Sequence, residues 1–236
     1  VHIPLFASDE FRGKSRRGLF GDTVEEIDAG IGRIVKTLRE LNIEKNTLIV
    51  FTSDNGPWLP YRQHGGSAGL LREGKGSTWE GGMREPTIFY WPGKIKPGPI
   101  ADIGSTLDLF ATITALAGAK LPTGRIMDSY DLGPTLFEGK SSPRDVMFYY
   151  RGRQLYAARK GAHKAHFITM NAYQKDNQRT EHNPPLLFNL EHDPSEKYDI
   201  SADNPEIIED IIKMVHDHKK NLVAGKDQLE HRITNN

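Results

Sequence analysis

Thr47-Leu48-Ile49-Val50-Phe51-Thr52-Ser53-Asp54-Asn55-Gly56 is the stretch that decides the fold. Its first six residues are apolar or β-branched without interruption, the pattern of a strand covered on both faces, and its last four are turn formers. Upstream, Val24, Ile27, Ile31, Ile34, Leu38 and Leu41 recur at steps of three and four, which predicts a helix of about 20 residues with one buried stripe. Asp22 with Glu25 three residues on has the spacing of a capping box, and Asn42 can finish the helix. Glu25 and Glu26 near its start and Lys36 and Arg39 near its end suit the helix dipole. A helix followed by such a strand predicts an α/β layer with a parallel sheet, in which ligands gather at the carboxyl ends of strands. Ser53 to Gly56 therefore lies where a site belongs.

Beyond that turn, Pro57 to Gly98 is too dense in glycine and proline for long helices, and a loop of that length in a compact protein is usually functional. Ser105 to Ala117 reads as a second helix with Leu107, Phe110, Ile113 or Thr114, and Leu116 or Ala117 inward, stopped by Gly118. Leu121 to Pro143 reads as loop. Composition shifts at Ser141-Ser142-Pro143, dividing the chain into residues 1–140 and 141–236. The second part carries strand-like runs at Val146 to Tyr150, Gln154 to Arg159 and Leu186 to Leu190. Its last helix is capped by Asn204 with Pro205 at the first position, striped by Ile207, Ile208, Ile211, Ile212 and Val215. The expectation is a small antiparallel sheet with one helix packed on it.

The composition removes functions more than it supplies them. Among 236 residues, 31 Lys and Arg balance 31 Asp and Glu, so no global basic field collects nucleic acid or an anionic membrane, and any anion must be held locally. The longest strictly aliphatic or aromatic run is Leu48 to Phe51, far short of the roughly 20 residues of a membrane span. With no cysteine, disulfides, thiolate metal sites and a cysteine nucleophile are excluded within the chain. The start at Val1-His2-Ile3-Pro4 shows neither an initiator Met nor a signal segment, and reads as the interior of a protein.

Few groups carry chemistry. Asn55-Gly56 is a tight-turn dipeptide, yet Asp54 and Asn55 are both hard oxygen donors at a strand mouth, half of a Ca²⁺ or Mg²⁺ site. Gly69 to Ser77 almost spells a phosphate-binding loop, but Gly76 stands where the metal-binding hydroxyl belongs and no helix follows, so that reading is rejected. Lys75 is left between two glycines, either a solvated charge or a holder of an anionic substrate oxygen. His2 reads as a structural histidine when taken alone. His163 and His166, three apart, would face opposite sides of a strand. His216 and His218 read as solvated surface groups. Ser141 to Asp145 reads as a linker, with no general base in view for a serine nucleophile.

Three stretches together resemble the type I sulfatases of the arylsulfatase A kind: Thr52 to Pro57, then Gly66 to Pro86 (GSAGLLREGKGSTWEGGMREP), then Trp91-Pro92-Gly93. Val1 to Leu5 is similar to the mid-domain histidine segment of that family, and Pro184 to Glu196 to its C-terminal strand and turn. The resemblance implies an alkaline phosphatase-like fold: the C-terminal part of a large α/β catalytic domain over residues 1–140, then a small sheet-and-helix domain over 141–236. It implies hydrolysis of sulfate esters, with Asp54 and Asn55 as ligands of a divalent ion, Ca²⁺ or alternatively Mg²⁺. Lys75 would bridge sulfate and nucleophile, and His2 would hold the sulfate on its leaving-group side and serve the general acid step. His166, in Lys164-Ala165-His166-Phe167, resembles a histidine at the pocket rim and is a candidate substrate contact.

The nucleophile of the family is a formylglycine made from Cys or Ser in a Cys/Ser-x-Pro-x-Arg motif. Here Ser141-Ser142-Pro143-Arg144-Asp145 has Asp145 where that motif needs Arg, and lies on the wrong side of the metal pair. The nucleophile, the further aspartate ligands and any signal peptide are thus expected in an N-terminal part of the same protein outside this chain. Alone, the chain is expected to be marginally soluble and to hydrolyse no sulfate ester. The substrate class is a sulfated small molecule or glycan, with the leaving group met by Trp58 to His64 and His163 to His182. A phosphatase or phosphodiesterase of the same superfamily and a non-catalytic fragment are the rivals. Relatives are periplasmic or secreted in bacteria and lysosomal in animals, and the absence of cysteine leans to the bacterial case.

Overall fold

The computed structural model describes residues 1–173 and 177–225. Helix α1 spans Gly18–Glu40, four residues earlier than a start at Asp22 would give. Asp22 is not its cap: the carboxylate is buried inside the helix and accepts the backbone N–H groups of Gly13 and Ser15, both at 2.8 Å. Those two donors hold its carboxyl below the usual range and close the Gly/Arg-rich loop onto α1. The helix does end at Asn42. With φ of 58°, Asn42 occupies the left-handed stop position, donating to Arg39 O while Ile43 donates to Leu38 O, the paired bonds of a Schellman motif.

Strand β1, Ile49–Thr52, pairs with β2, Thr87–Tyr90, from Ile49 opposite Tyr90 to Thr52 opposite Thr87. That pairing is antiparallel and corrects the expectation of a parallel neighbour. The connection leaves the carboxyl end of β1, folds over that same end and re-enters from it, so no crossover carries the chain to the other end. Glu44 ties the layer together, accepting from Tyr90 Oη at 2.6 Å and Arg39 Nε at 2.8 Å. The connection holds a 3₁₀ turn at Leu59–His64 and a short helix α2, Glu80–Met83.

The apolar stripes predicted to be buried in this part are open. Ile34 is 57% exposed on α1, and Phe51 and Ile88 are exposed on the two strands. Helix α3, Asp108–Leu116, turns Asp108, Ala111 and Thr112 inward, while Leu107, Phe110 and Ile113 face out. A buried ion pair explains that face: Arg144 sets Nε on Asp108 Oδ2 at 2.7 Å and Nη2 on Oδ1 at 2.6 Å. The Ser141 to Asp145 segment is thus a structural tie, with Ser142 Oγ donating to Ile103 O. A helix α4, Gly133–Glu138, lies in the stretch read as loop.

Strands β3 (Val146–Arg151), β4 (Gln154–Lys160), β5 (His163–Thr169) and β6 (Thr180–Asn189) form an antiparallel meander in that order. Helix α5, Pro205–Asn221, packs Ile208, Ile211 and Val215 onto Leu155, Ala158, Ala165 and Leu187. Asn204 does not cap it through its side chain, which donates to Ile200 O instead. Ile212, placed on the buried stripe from sequence, is largely exposed. His218 is not a solvated group: it stacks on Phe148 at 3.7 Å between ring centroids, and its Nε2 meets Tyr150 Oη at 2.7 Å. No helix among the described residues is long and apolar enough to cross a membrane.

Candidate active site

A cleft of about 720 Å³ opens at the carboxyl end of β1. Its lining includes His2, Asp54 to Trp58, His64 to Ala68, and Lys75 with Gly81, Arg84, Glu85 and Pro86. What brings them together is backbone. Gly56 N–H donates to Gly82 O, Lys75 N–H to Pro57 O at 2.9 Å, and Gly81 N–H to Arg72 O at 2.8 Å. Gly56 and Gly81 sit so close that a Cβ on Gly56 would collide with the Gly81 carbonyl. The glycines therefore let two stretches of main chain touch, which is the physical reason the loop is so rich in them.

Trp58 is the meeting point of the two candidate cations. The His2 ring centroid lies 5.1 Å from that of Trp58, and Lys75 Nζ lies 5.0 Å from the indole centroid. An indole face attracts both an ammonium and an imidazolium. His2 Nδ1 is 2.7 Å from Ile3 O; a carbonyl oxygen only accepts, so Nδ1 is the donor in this contact and Nε2 is not used by it. Tyr61 meets Trp58 edge to face at 4.8 Å, so the indole is braced from the side.

Two carboxylates, Asp54 and Glu85, line the same cleft. Asp54 is exposed and Asn55 half-buried, and Glu85 stands beside them with a buried Oε1 that has no hydrogen-bond partner. Burial, and then the negative charge of Asp54, push the Glu85 carboxyl up to about 7, against the pull of a Ser53 hydrogen bond. Hard oxygens beside an orphaned buried carboxylate oxygen fit a hard divalent cation. No cluster of three or more His, Cys, Asp or Glu arranged as a complete metal site occurs among the described residues. Asp54 and Asn55 would thus be part of a shell.

His166 is not at the rim. It is fully buried on β5, its Nε2 2.7 Å from Glu196 Oε1 and its ring 4.1 Å from that of Trp79. Desolvation, reinforced by the nearby Lys164 charge and opposed by Glu196, lowers its pKa to about 4. The candidate substrate contact is corrected on that ground: no face of this imidazole reaches the cleft. Of the leaving-group segments, Trp58 and His64 do line it, whereas His163 to Thr169 and Thr180 to His182 belong to strands. Two lining residues, Arg84 and Glu85, are missed by residue-by-residue reading. Their signal was position alone, two and three residues after Gly82.

The sequence profile of the Sulfatase family matches residues 1–119, and that of the C-terminal region of aryl-sulfatase matches residues 142–236. Arylsulfatase A of Bos taurus is 41% identical over 249 residues, covering 99% of the chain and 48% of that protein. N-acetylgalactosamine-6-sulfatase of Homo sapiens is 41% identical over 253 residues, covering 97% of the chain and 48% of that protein. Among solved structures, the PsFucS1 sulfatase of a Pseudoalteromonas species superposes with a TM-score of 0.82 at 30% identity, over 95% of the chain and 48% of that structure. The chain spans about half the length of the curated relatives it matches.

Proposed function

The chain belongs to the sulfatase family, with its alkaline phosphatase-like fold, and from that premise we propose that it supplies the cation- and sulfate-holding part of an enzyme that hydrolyses sulfate esters. The observation that carries this reading is the convergence of Asp54, Asn55, Lys75 and His2 on one cleft from three separate segments. We read residues 1–140 as part of the catalytic unit and 141–236 as a C-terminal unit.

Cleavage of a sulfate ester builds negative charge on the departing oxygen and on the sulfuryl oxygens, so preorganised positive groups lower its barrier. Lys75, held at its backbone by Pro57 O, places an ammonium for the sulfuryl oxygens. His2, with Nδ1 engaged by Ile3 O, presents Nε2 to the leaving oxygen and can hand it a proton. Asp54 and Asn55 would hold a divalent cation, Ca²⁺ by family habit, which supplies Lewis-acid stabilisation when bound. The covalent nucleophile would be a formylglycine contributed from outside this chain, which has no cysteine. Trp58, an apolar group in the cleft lining, is the candidate contact for an aryl or sugar leaving group of a sulfated small molecule or glycan.

A phosphatase of the same superfamily is the second reading. The pairing of Asp54-Asn55 with Lys75, in place of many Asp and His ligands, favours sulfate. In the full-length sulfatase carrying this chain, 4-nitrophenyl sulfate should be turned over in preference to 4-nitrophenyl phosphate. Lys75→Ala should cost at least about a hundredfold in kcat, the scale of one lost transition-state donor. A preference for phosphate, or an unchanged kcat in Lys75→Ala, would reject the assignment.

A further inference from the structure

The loop that carries Lys75 is anchored from behind, by the four-stranded sheet and its following turn. Ser195 Oγ donates to Leu70 O at 2.6 Å, Arg72 Nη1 to Glu196 O at 2.8 Å, and Ala172 N–H to Glu73 Oε2 at 3.0 Å. The last anchor is the most buried: Glu80 N–H donates to Glu196 Oε2 at 2.6 Å. Glu80, Glu196 and Lys164 are all inaccessible to solvent or nearly so.

Within this cluster Lys164 Nζ sits 2.9 Å from Glu80 Oε1 and 3.2 Å from Glu196 Oε1. The other oxygen of Glu80, Oε2, takes Arg84 Nε at 2.9 Å, and Arg84 lines the cleft. Two carboxylates and two cations thus balance around a neutral His166. Removing such charges from water costs several kcal/mol per ion and is poorly repaid as stability. What a carboxylate held at both oxygens does provide is direction. Glu80 holds Lys164 of the sheet with one oxygen and Arg84 of the cleft lining with the other, five residues after Lys75.

We propose that Glu80, backed by Lys164, is a positioning residue of the cleft, fixing Lys75 through the loop and orienting Arg84 directly, so that the four-stranded sheet is part of the sulfate-handling apparatus. This rests on the proposed function. Neither residue touches substrate; both act through Lys75 and Arg84.

The test uses the full-length sulfatase carrying this chain. Glu80→Gln keeps the size and shape of the side chain and removes its charge. In the folded variant, kcat for 4-nitrophenyl sulfate should fall at least tenfold while KM changes less than threefold, and Lys164→Met should act in the same direction. Lys160→Ala, which breaks an exposed ion pair with Asp210 elsewhere on the sheet, should leave both constants unchanged. Folded Glu80→Gln with kcat and KM within twofold of the parent would overturn the proposal. Should the substitutions prevent folding, amide hydrogen exchange on the unsubstituted protein decides. The amides of Lys75 and Glu80 should exchange through one shared opening, with protection within about threefold. A Lys75 amide exchanging a hundredfold faster through its own opening overturns the idea. Absence of any sulfate ester turnover in the parent would defeat the proposed function, and the exchange measurement would still judge this inference.

Discussion

His166 shows how burial redefines a single residue. In water an imidazole gains its proton near 6.5, but on β5 it does so only at about 4, because burial and Lys164 oppose the charge more than Glu196 favours it. Between those values the unfolded chain binds the proton and the folded one does not. The stability that His166 allows is therefore complete above pH 6.5 and drains away as pH falls through that window toward 4, by about 3 kcal/mol at the limit. Glu196, whose carboxyl burial pushes up but Lys164 and the His166 hydrogen bond together hold below its usual range, adds a loss of the same sign lower still. His166→Asn should flatten the fall in Tm between pH 6.5 and 4, measured by calorimetry. An unchanged slope would show that the imidazole is not the group titrating there.

Among the elements, glycine substitution should act with opposite signs in α1 and in the cleft loop. Gly32 lies inside α1 with nothing within 4 Å of the place a Cβ would take. Gly32→Ala should raise stability by about 1 kcal/mol, the difference in helix propensity. Gly56 lies against the Gly81 carbonyl and the Gly82 Cα, backbone that cannot swing away. Gly56→Ala should cost about 2 kcal/mol or more through overpacking. Denaturant titration of the two variants checks both, and equal effects would show that the loop yields where the geometry says it is rigid. The same contrast separates a glycine that breaks a helix needlessly from one that shapes a site.

Across the whole molecule, buried ion pairs tie the four-stranded sheet and the segment before it to α2 and α3, while apolar faces stay open. Arg144 carries the second sheet onto α3 by its two bonds to Asp108, and also donates to Asp128 O at 2.7 Å. Truncating one partner of a buried pair strands the other, so Arg144→Ala should lose about 3–5 kcal/mol. A loss under about 1 kcal/mol in thermal or denaturant unfolding would mean that water reaches Asp108. Helix α1, the outer side of α3 and the β1–β2 pair present Ile34, Phe110 and Ile88 to solvent.

Much of this was legible from residues alone. The continuous apolar run before Ser53-Asp54-Asn55-Gly56 placed β1 and the turn at its mouth, the steps of three and four placed α1 and α5, and Gly118 stopped α3. Local periodicity and turn chemistry determine such elements, because they depend on neighbours along the chain. Strand β5 escaped, since Lys164 and His166 are polar residues in a buried strand, whose charge partners Glu80 and Glu196 come from far along the chain. The inward face of α3 escaped for the same reason, a charge pair outranking the apolar stripe. Sequence supplied Asp54, Asn55, Lys75 and His2 as candidates. Tertiary structure alone decided that His2 and Lys75 both come within about 5 Å of the Trp58 ring, that Arg84 lines the same cleft, and that His166 is buried against Trp79. Those outcomes are set by which distant charges are desolvated together, a quantity that no local pattern carries.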